Sequence, residues 1–295
     1  CLWFVDPFLL LSRLGDMSAT DVEKLRELRI SGSSKPALVV EIGPTVLQNG
    51  GLGNEAWTIR EQVVQAGIDE YNAKVVSTYF REIQKKFPQS KREKRLNGMI
   101  LEAQGTLKNA AEVYKNLSRE DPTDLISQKR GIAILKAKGD IEGCISALNE
   151  YLLMFVADEE AWHELCDLYL HQAQFNYAAF CLEEVLIADR WNRQIYNKYA
   201  DIMYSSGSKD DLILARKYYS YSININNSGE NVKALYGLCL TTATLLNDYP
   251  KEKTPHNKSL YLFGESRIRQ IYNETSPQKK PFLEKFLDSI RPKID

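Results

Sequence analysis

The chain carries three histidines and five cysteines, so acid–base, thiol and metal chemistry have few candidates. His163, Asp167 and His171 follow one another at intervals of four residues, which sets them on one face of any helix that contains them. A metal site is excluded by length. Eight residues of helix rise about 12 Å, whereas a zinc–nitrogen bond is about 2 Å, so the two imidazoles cannot share an ion. The trio reads instead as part of a polar helix face. Cys1, Cys144, Cys166, Cys181 and Cys239 are widely scattered and form no CxxC pair, the pattern of free thiols in a reducing compartment. No glycine-rich phosphate loop, GxSxG elbow or paired acidic motif occurs. The expectation is a protein that is not an enzyme, with no catalytic residues, no cofactor and no metal.

The stretch Lys85–Arg95 is locally basic. Four of its cations, Lys91, Arg92, Lys94 and Arg95, open a predicted helix, where the helix dipole favours anions, so the fold does not ask for them there. The plain reading of the segment is a solvated turn between repeats; an acidic partner, phospholipid headgroups or RNA would also suit it. The formal net charge of the chain is −1, which argues against steering toward nucleic acid, and no nucleic-acid partner is expected.

The elements that must position these residues emerge from a period of 34, the separation of Pro88 and Pro122. Frames stepped by that period begin at Trp57, Lys91, Leu125, Glu159 and Arg193, and a three-residue insertion in 205–211 shifts a sixth to Glu230. Position 8 of the frames reads Val64, Gly98, Ile132, Cys166, Ala200 and Gly237. Position 20 reads Val76, Ala110, Cys144, Ala178 and Ala215. Position 24 reads Phe80, Tyr114, Leu148, Leu182 and Tyr219, and Gly105 and Gly139 mark a turn at position 15. Small residues at 8 and 20 let two helices approach closely, large ones fill the space between pairs, and a proline near the end stops the second helix. The pattern predicts an array over 57–247. Before it lie helices at 18–30 and 36–48 within 17–56. After a loop at 248–256, helices at about 257–274 and 278–290 form a capping region within 248–295. Residues 1–14 are apolar but broken by Asp6, Pro7 and Arg13, too short to span a bilayer; Met17 is expected as the start, with 1–16 a translated leader.

In the fourth frame Trp162, Leu165, Tyr169, Ala178 and Leu182 resemble the tetratricopeptide signature. The resemblance implies an all-α right-handed solenoid of about five to six helix pairs with flanking caps, in which the first helix of each pair lines a binding groove. Its inward positions would be Glu61, Arg95, Met99, Lys129, His163, Asp167, His171, Asn197 and Asp201. Members that grip chaperone tails carry Lys at position 5 and Asn at position 9. Here Arg95 is followed by Met99 and Lys129 by Ala133, which disfavours the alternative of a soluble co-chaperone or adaptor that binds peptide tails.

Longer stretches narrow the resemblance: Lys94-Arg95-Leu96, Glu120-Asp121-Pro122-Thr123, Glu160-Ala161-Trp162-His163-Glu164-Leu165, Ala178-Ala179-Phe180-Cys181-Leu182 and Lys233-Ala234-Leu235-Tyr236-Gly237. They are similar to the subunit 2 family of the endoplasmic-reticulum membrane protein complex. That family implies a non-catalytic scaffold, peripheral on the cytoplasmic face of the endoplasmic reticulum, in an insertase for tail-anchored and multi-pass proteins. Its implied partners are cytosolic segments of integral membrane subunits and a globular cytosolic subunit, with membrane association indirect, through those partners.

Overall fold

A computed structural model describes residues 20–225 and 231–292. The expectations about residues 1–16 and Met17, and the frame start at Glu230, lie outside them. Among the described residues every regular element is helical. The chain divides into two compact units, one ending at Asp140 and the other beginning at Ile141.

The first unit contains α1 (residues 20–31), α2 (Pro36–Asn49), α3 (Glu55–Asp69), α4 (Ala73–Lys86), α5 (Lys91–Ala103), α6 (Leu107–Glu120) and α7 (Leu125–Ala137). The second contains α8 (Ile141–Met154), α9 (Glu159–His171), α10 (Phe175–Ala188), α11 (Arg193–Ser206), α12 (Lys209–Asn224), α13 (Val232–Asp248), α14 (Pro255–Thr275) and α15 (Lys280–Ile290), with 3₁₀ turns at Pro250–Glu252 and Pro277–Lys279. The frame starts at Lys91, Leu125, Glu159 and Arg193 are the first residues of α5, α7, α9 and α11. The first frame enters its helix two residues late, because α3 already begins at Glu55.

Two local devices recur with the period. Ser90, Asp124, Asp158 and Asn192, each 34 residues after the last, cap α5, α7, α9 and α11 by accepting a hydrogen bond from a backbone N–H of the first turn. Such a cap satisfies a donor that the helix leaves without a partner. At the other end, Tyr71, Gly105, Gly139, Ala173 and Gly207 all have φ between +54° and +77°. They stand at position 15, where the chain reverses into the second helix. Glycine adopts this left-handed conformation without steric cost; Tyr71 and Ala173 hold it against the preference of an L side chain.

Packing follows the expected small-to-large pairing. Gly98 of α5 is buried under the Tyr114 ring of α6, so close that an added Cβ would stand 2.6 Å from Tyr114 Cζ. Gly237 of α13 meets the Tyr219 ring of α12 in the same way. Ala110, Cys144, Ala178 and Ala215 are buried, as are Leu148, Leu165 and Leu182. Phe80, Trp162 and Tyr169 are half-buried. Trp162 meets the Phe180 edge at 6.1 Å, and Tyr169 stacks on Tyr177 at 5.2 Å.

The first unit also has a core of Leu25, Val39, Val46, Ile59, Val63 and Ala66, which holds α1 and α2 on α3. In the second unit Leu235, Cys239 and Leu246 of α13 pack with Tyr261 and Ile268 of α14 and with Leu283 and Leu287 of α15. Helices α14 and α15 thereby cover the apolar side of the last repeat helix, which a repeat array would otherwise leave open.

Candidate protein-docking face

Within each unit the hairpins contribute their first helices to one face, and the polar residues there are engaged with one another. In the first unit Glu61 of α3 pairs with Arg92 of α5. Arg95 of α5 lies 3.6 Å from Asp124, the cap of α7. Glu102 of α5 accepts from Arg130 of α7 at 3.1 Å and also from the buried hydroxyl of Tyr114. The second unit repeats the scheme. Asp167 of α9 pairs with Lys198 of α11 at 2.7 Å, Asn197 of α11 accepts and donates with Asn231, the cap of α13, and Asp201 of α11 pairs with Lys233 of α13 at 2.6 Å. Asp201 also accepts from the Tyr219 hydroxyl at 2.5 Å. These contacts tie successive first helices together like rungs. Exposed ion pairs add little one by one, but their directions fix which face each side chain presents.

The nine residues expected to line a groove therefore fare differently. Glu61, Arg95, Asp167, Asn197 and Asp201 stand in the rungs. Met99 is half-buried and packs with Val64, Val76 and Leu96, so it belongs to the packing of α3 to α5. Lys129 is half-buried and His171 exposed. His163 is half-buried, and burial, with help from Lys198, pulls its pKa below the usual histidine value. Arg95 has a consequence for mutagenesis: among the described residues its buried Nε has no hydrogen-bond partner and faces the Asp124 carboxylate at 3.6 Å. A charge reversal there would set two carboxylates against each other, so loss of binding would not be separable from loss of stability.

Two clefts open where successive first helices meet, each beside a position-5 residue. One, about 380 Å³, lies in the first unit among Trp57, Glu61, Ile83, Phe87, Arg92 and Leu96. It is largely apolar: Trp57 and Phe87 meet edge-on at 5.3 Å, and the Arg60 guanidinium lies over the Trp57 ring at 4.7 Å. The second, also about 380 Å³, lies in the second unit among Arg193, Gln194, Asn197, Asn231, Val232 and Lys233 and mixes polar and apolar surface about equally. Such walls suit side chains of another protein, one apolar anchor and one hydrogen-bonding segment.

The described cysteines sit in the core. Burial pushes the Cys166 thiol up to about 11 and those of Cys181 and Cys239 up to about 12, far from the thiolate that nucleophilic chemistry requires. Sequence reasoning missed the rungs and the caps. The caps were readable, since a small polar residue stands directly before each of four frames. The rungs join residues about 30 apart in sequence and needed the hairpins to be stacked.

Helix hairpins that repeat at 34 residues, with small-to-large packing and reciprocal polar ties, define a tetratricopeptide-repeat protein. A solved structure of the C-terminal part of a TPR repeat-containing protein from Cytophaga hutchinsonii shares this fold, with a TM-score of 0.59 at 15% identity over 86% of this chain and 96% of that one. Residues 77–213 match the family model described as the EMC2 TPR-like repeat domain. The chain is 35% identical over 268 residues to ER membrane protein complex subunit 2-A of Xenopus laevis, covering 89% of each chain. It is 29% identical to ER membrane protein complex subunit 2 of Dictyostelium discoideum, covering 90% of this chain and 87% of that one. The chain belongs to the ER membrane protein complex subunit 2 family.

Proposed function

We propose that this chain is a non-catalytic scaffold subunit of an endoplasmic-reticulum membrane protein complex that inserts tail-anchored and multi-pass proteins. It works from the cytoplasmic face, and its first-helix face holds cytosolic segments of membrane-embedded subunits, with a globular cytosolic subunit docked on the same scaffold. Family membership over nearly the whole chain is the observation that carries this reading. Two features support it. No helix among the described residues is long and apolar enough to cross a membrane, which fits a subunit held at the surface by partners. Each of the two clefts also lies on the first-helix face of its own unit, where the rungs keep the walls in place before a partner arrives, and a preformed site loses less entropy on binding. The non-catalytic role is supported by the burial of the thiols and by the engagement of the carboxylates in rungs and caps.

Affinity purification of the tagged full chain from detergent-solubilised membranes, read by mass spectrometry, tests the reading. Recovery of integral membrane proteins in fixed ratio to the chain is the expected result. A chain recovered alone, or with soluble chaperones only, overturns it.

A further inference from the structure

The second helices of the first unit carry a feature that neither the packing nor the rungs use. Repeat positions 18, 25 and 29 hold Lys74, Arg81 and Lys85 on α4 and Lys108, Lys115 and Arg119 on α6. Within each helix these positions are spaced seven and four residues apart, so they form one stripe about 16 Å long. Because the two hairpins repeat in register, the stripes lie side by side on the outer face of this unit. All six side chains are exposed, and none forms an ion pair or side-chain hydrogen bond among the described residues.

The fold does not require these charges. Lys85 and Arg119 complement the C-terminal dipole of their helices. Lys74 and Lys108, however, are the second residues of α4 and α6, where that dipole opposes a cation. In the second unit the same positions of α8 and α10 read Glu142, Asn149, Leu153 and Asn176, Glu183, Ile187, and neither helix contains Lys or Arg. Chance placement of surface lysines does not reproduce the same three positions in two successive repeats and omit them from the next two.

We propose that this outer face of α4 and α6 rests directly on anionic phospholipid headgroups, a contact in addition to those made through protein partners. The proposal relies on the membrane-complex reading above for the presence of a lipid surface. The array is a double row of long cations rather than a cleft, and none of the six lines either cleft described above. A planar sheet of phosphates can meet such a surface without a shaped pocket, whereas an acidic peptide would need walls to fix its register. Clusters of this size on a helical surface are sufficient for binding to acidic lipid.

Flotation of the full chain with vesicles tests this, comparing phosphatidylcholine alone with phosphatidylcholine plus phosphatidylserine, at low and high salt. The wild-type chain is expected to float with the anionic vesicles only, and to be released by salt. The variant Lys74→Glu, Arg81→Glu, Lys108→Glu, Lys115→Glu should lose binding by about tenfold or more, with a melting curve like that of the wild type. If the reversal disturbs folding, the glutamine variant at the same four positions supplies the comparison and should also lose most of the binding. Absence of flotation at low salt, equal flotation of a folded variant, or binding of soluble poly-glutamate without binding of vesicles would each overturn the proposal. The assay contains no partner protein, so its failure leaves co-purification untouched, and failed co-purification with intact flotation counts against the subunit reading alone.

Discussion

Helices α6 and α10 hold the same place in their hairpins, one in each unit, and they share an inside while differing outside. Position 20 is Ala110 in one and Ala178 in the other, position 24 is Tyr114 and Leu182, and position 27 is Leu117 and Val185; all six are buried. Positions 18, 25 and 29 are Lys108, Lys115 and Arg119 in α6, against Asn176, Glu183 and Ile187 in α10. Helix α10 also exposes Tyr177 and Phe180, whose rings lean on Tyr169 and Trp162 of α9. The buried positions are bound by the volume left between neighbouring helices, where a single methylene is felt. The outer positions meet only water and whatever docks there, so a 34-residue unit leaves them open to differ. In such a scaffold, stability is set by one group of positions and recognition by another.

The largest effect that would sharpen this contrast comes from position 8. Gly98→Val forces side-chain atoms into the Tyr114 ring and should cost about 3 kcal/mol by overpacking. Gly131, in α7, has nothing within 4 Å of the place a Cβ would take, so Gly131→Ala should gain about 0.5–1 kcal/mol from helix propensity. Urea unfolding of the two variants beside the wild type checks both signs. Equal effects would mean that the close approach at Gly98 is not what limits that position.

A smaller effect tests the turn at position 15, which is glycine at Gly105 and Gly139 but alanine at Ala173. Gly139→Ala should destabilise by about 1 kcal/mol, and Ala173→Gly should leave stability unchanged or raise it by about 0.5 kcal/mol, since only the first introduces a side chain into left-handed backbone. Thermal midpoints read the pair.

A smaller effect still belongs to the ion-pair cluster that joins α1 to the start of α3. Hydrogen bonds from Arg26, then Arg29, hold the Glu55 carboxyl down at about 2, against an ordinary 4.5. A carboxylate favoured in the folded state contributes its full stability above the unfolded value and loses it as pH falls through the folded value. The wild type should therefore lose midpoint between about pH 4.5 and 2 relative to Glu55→Gln, and the two should run parallel above pH 5. A constant difference down to pH 2 would show that the Arg26–Glu55–Arg29 cluster is not coupled to folding.

Much of this architecture was legible in the chain because burial and backbone conformation repeat with the unit. The small residues at 8 and 20, Gly105 and Gly139 at 15, and the prolines at Pro88 and Pro122 all mark places where sterics leave few choices. The caps at Ser90, Asp124, Asp158 and Asn192 were just as regular. The candidate face was less legible. Arg95, Asn197 and Asp201 were expected to line an open groove, yet each meets a neighbour from the next hairpin, and Met99 packs against the core. Contacts of this kind depend on the stagger between hairpins, which composition and period do not specify. The basic stripes were half visible: Lys85–Arg95 stands out as a contiguous run, whereas Lys85 joins Lys74 and Arg81 only through the helix period.

The division between buried and outer positions is tested most directly by a transplant. The outer residues of α8 and α10 at positions 18 and 25 can be placed on α4 and α6 as Lys74→Glu, Arg81→Asn, Lys108→Asn and Lys115→Glu, and the thermal midpoint measured. Four exposed substitutions should shift it by no more than about 4 °C, with a single cooperative transition. A fall of about 10 °C or more, or a transition that loses its cooperativity, would show that the outer residues help hold the repeats together and would contradict the account.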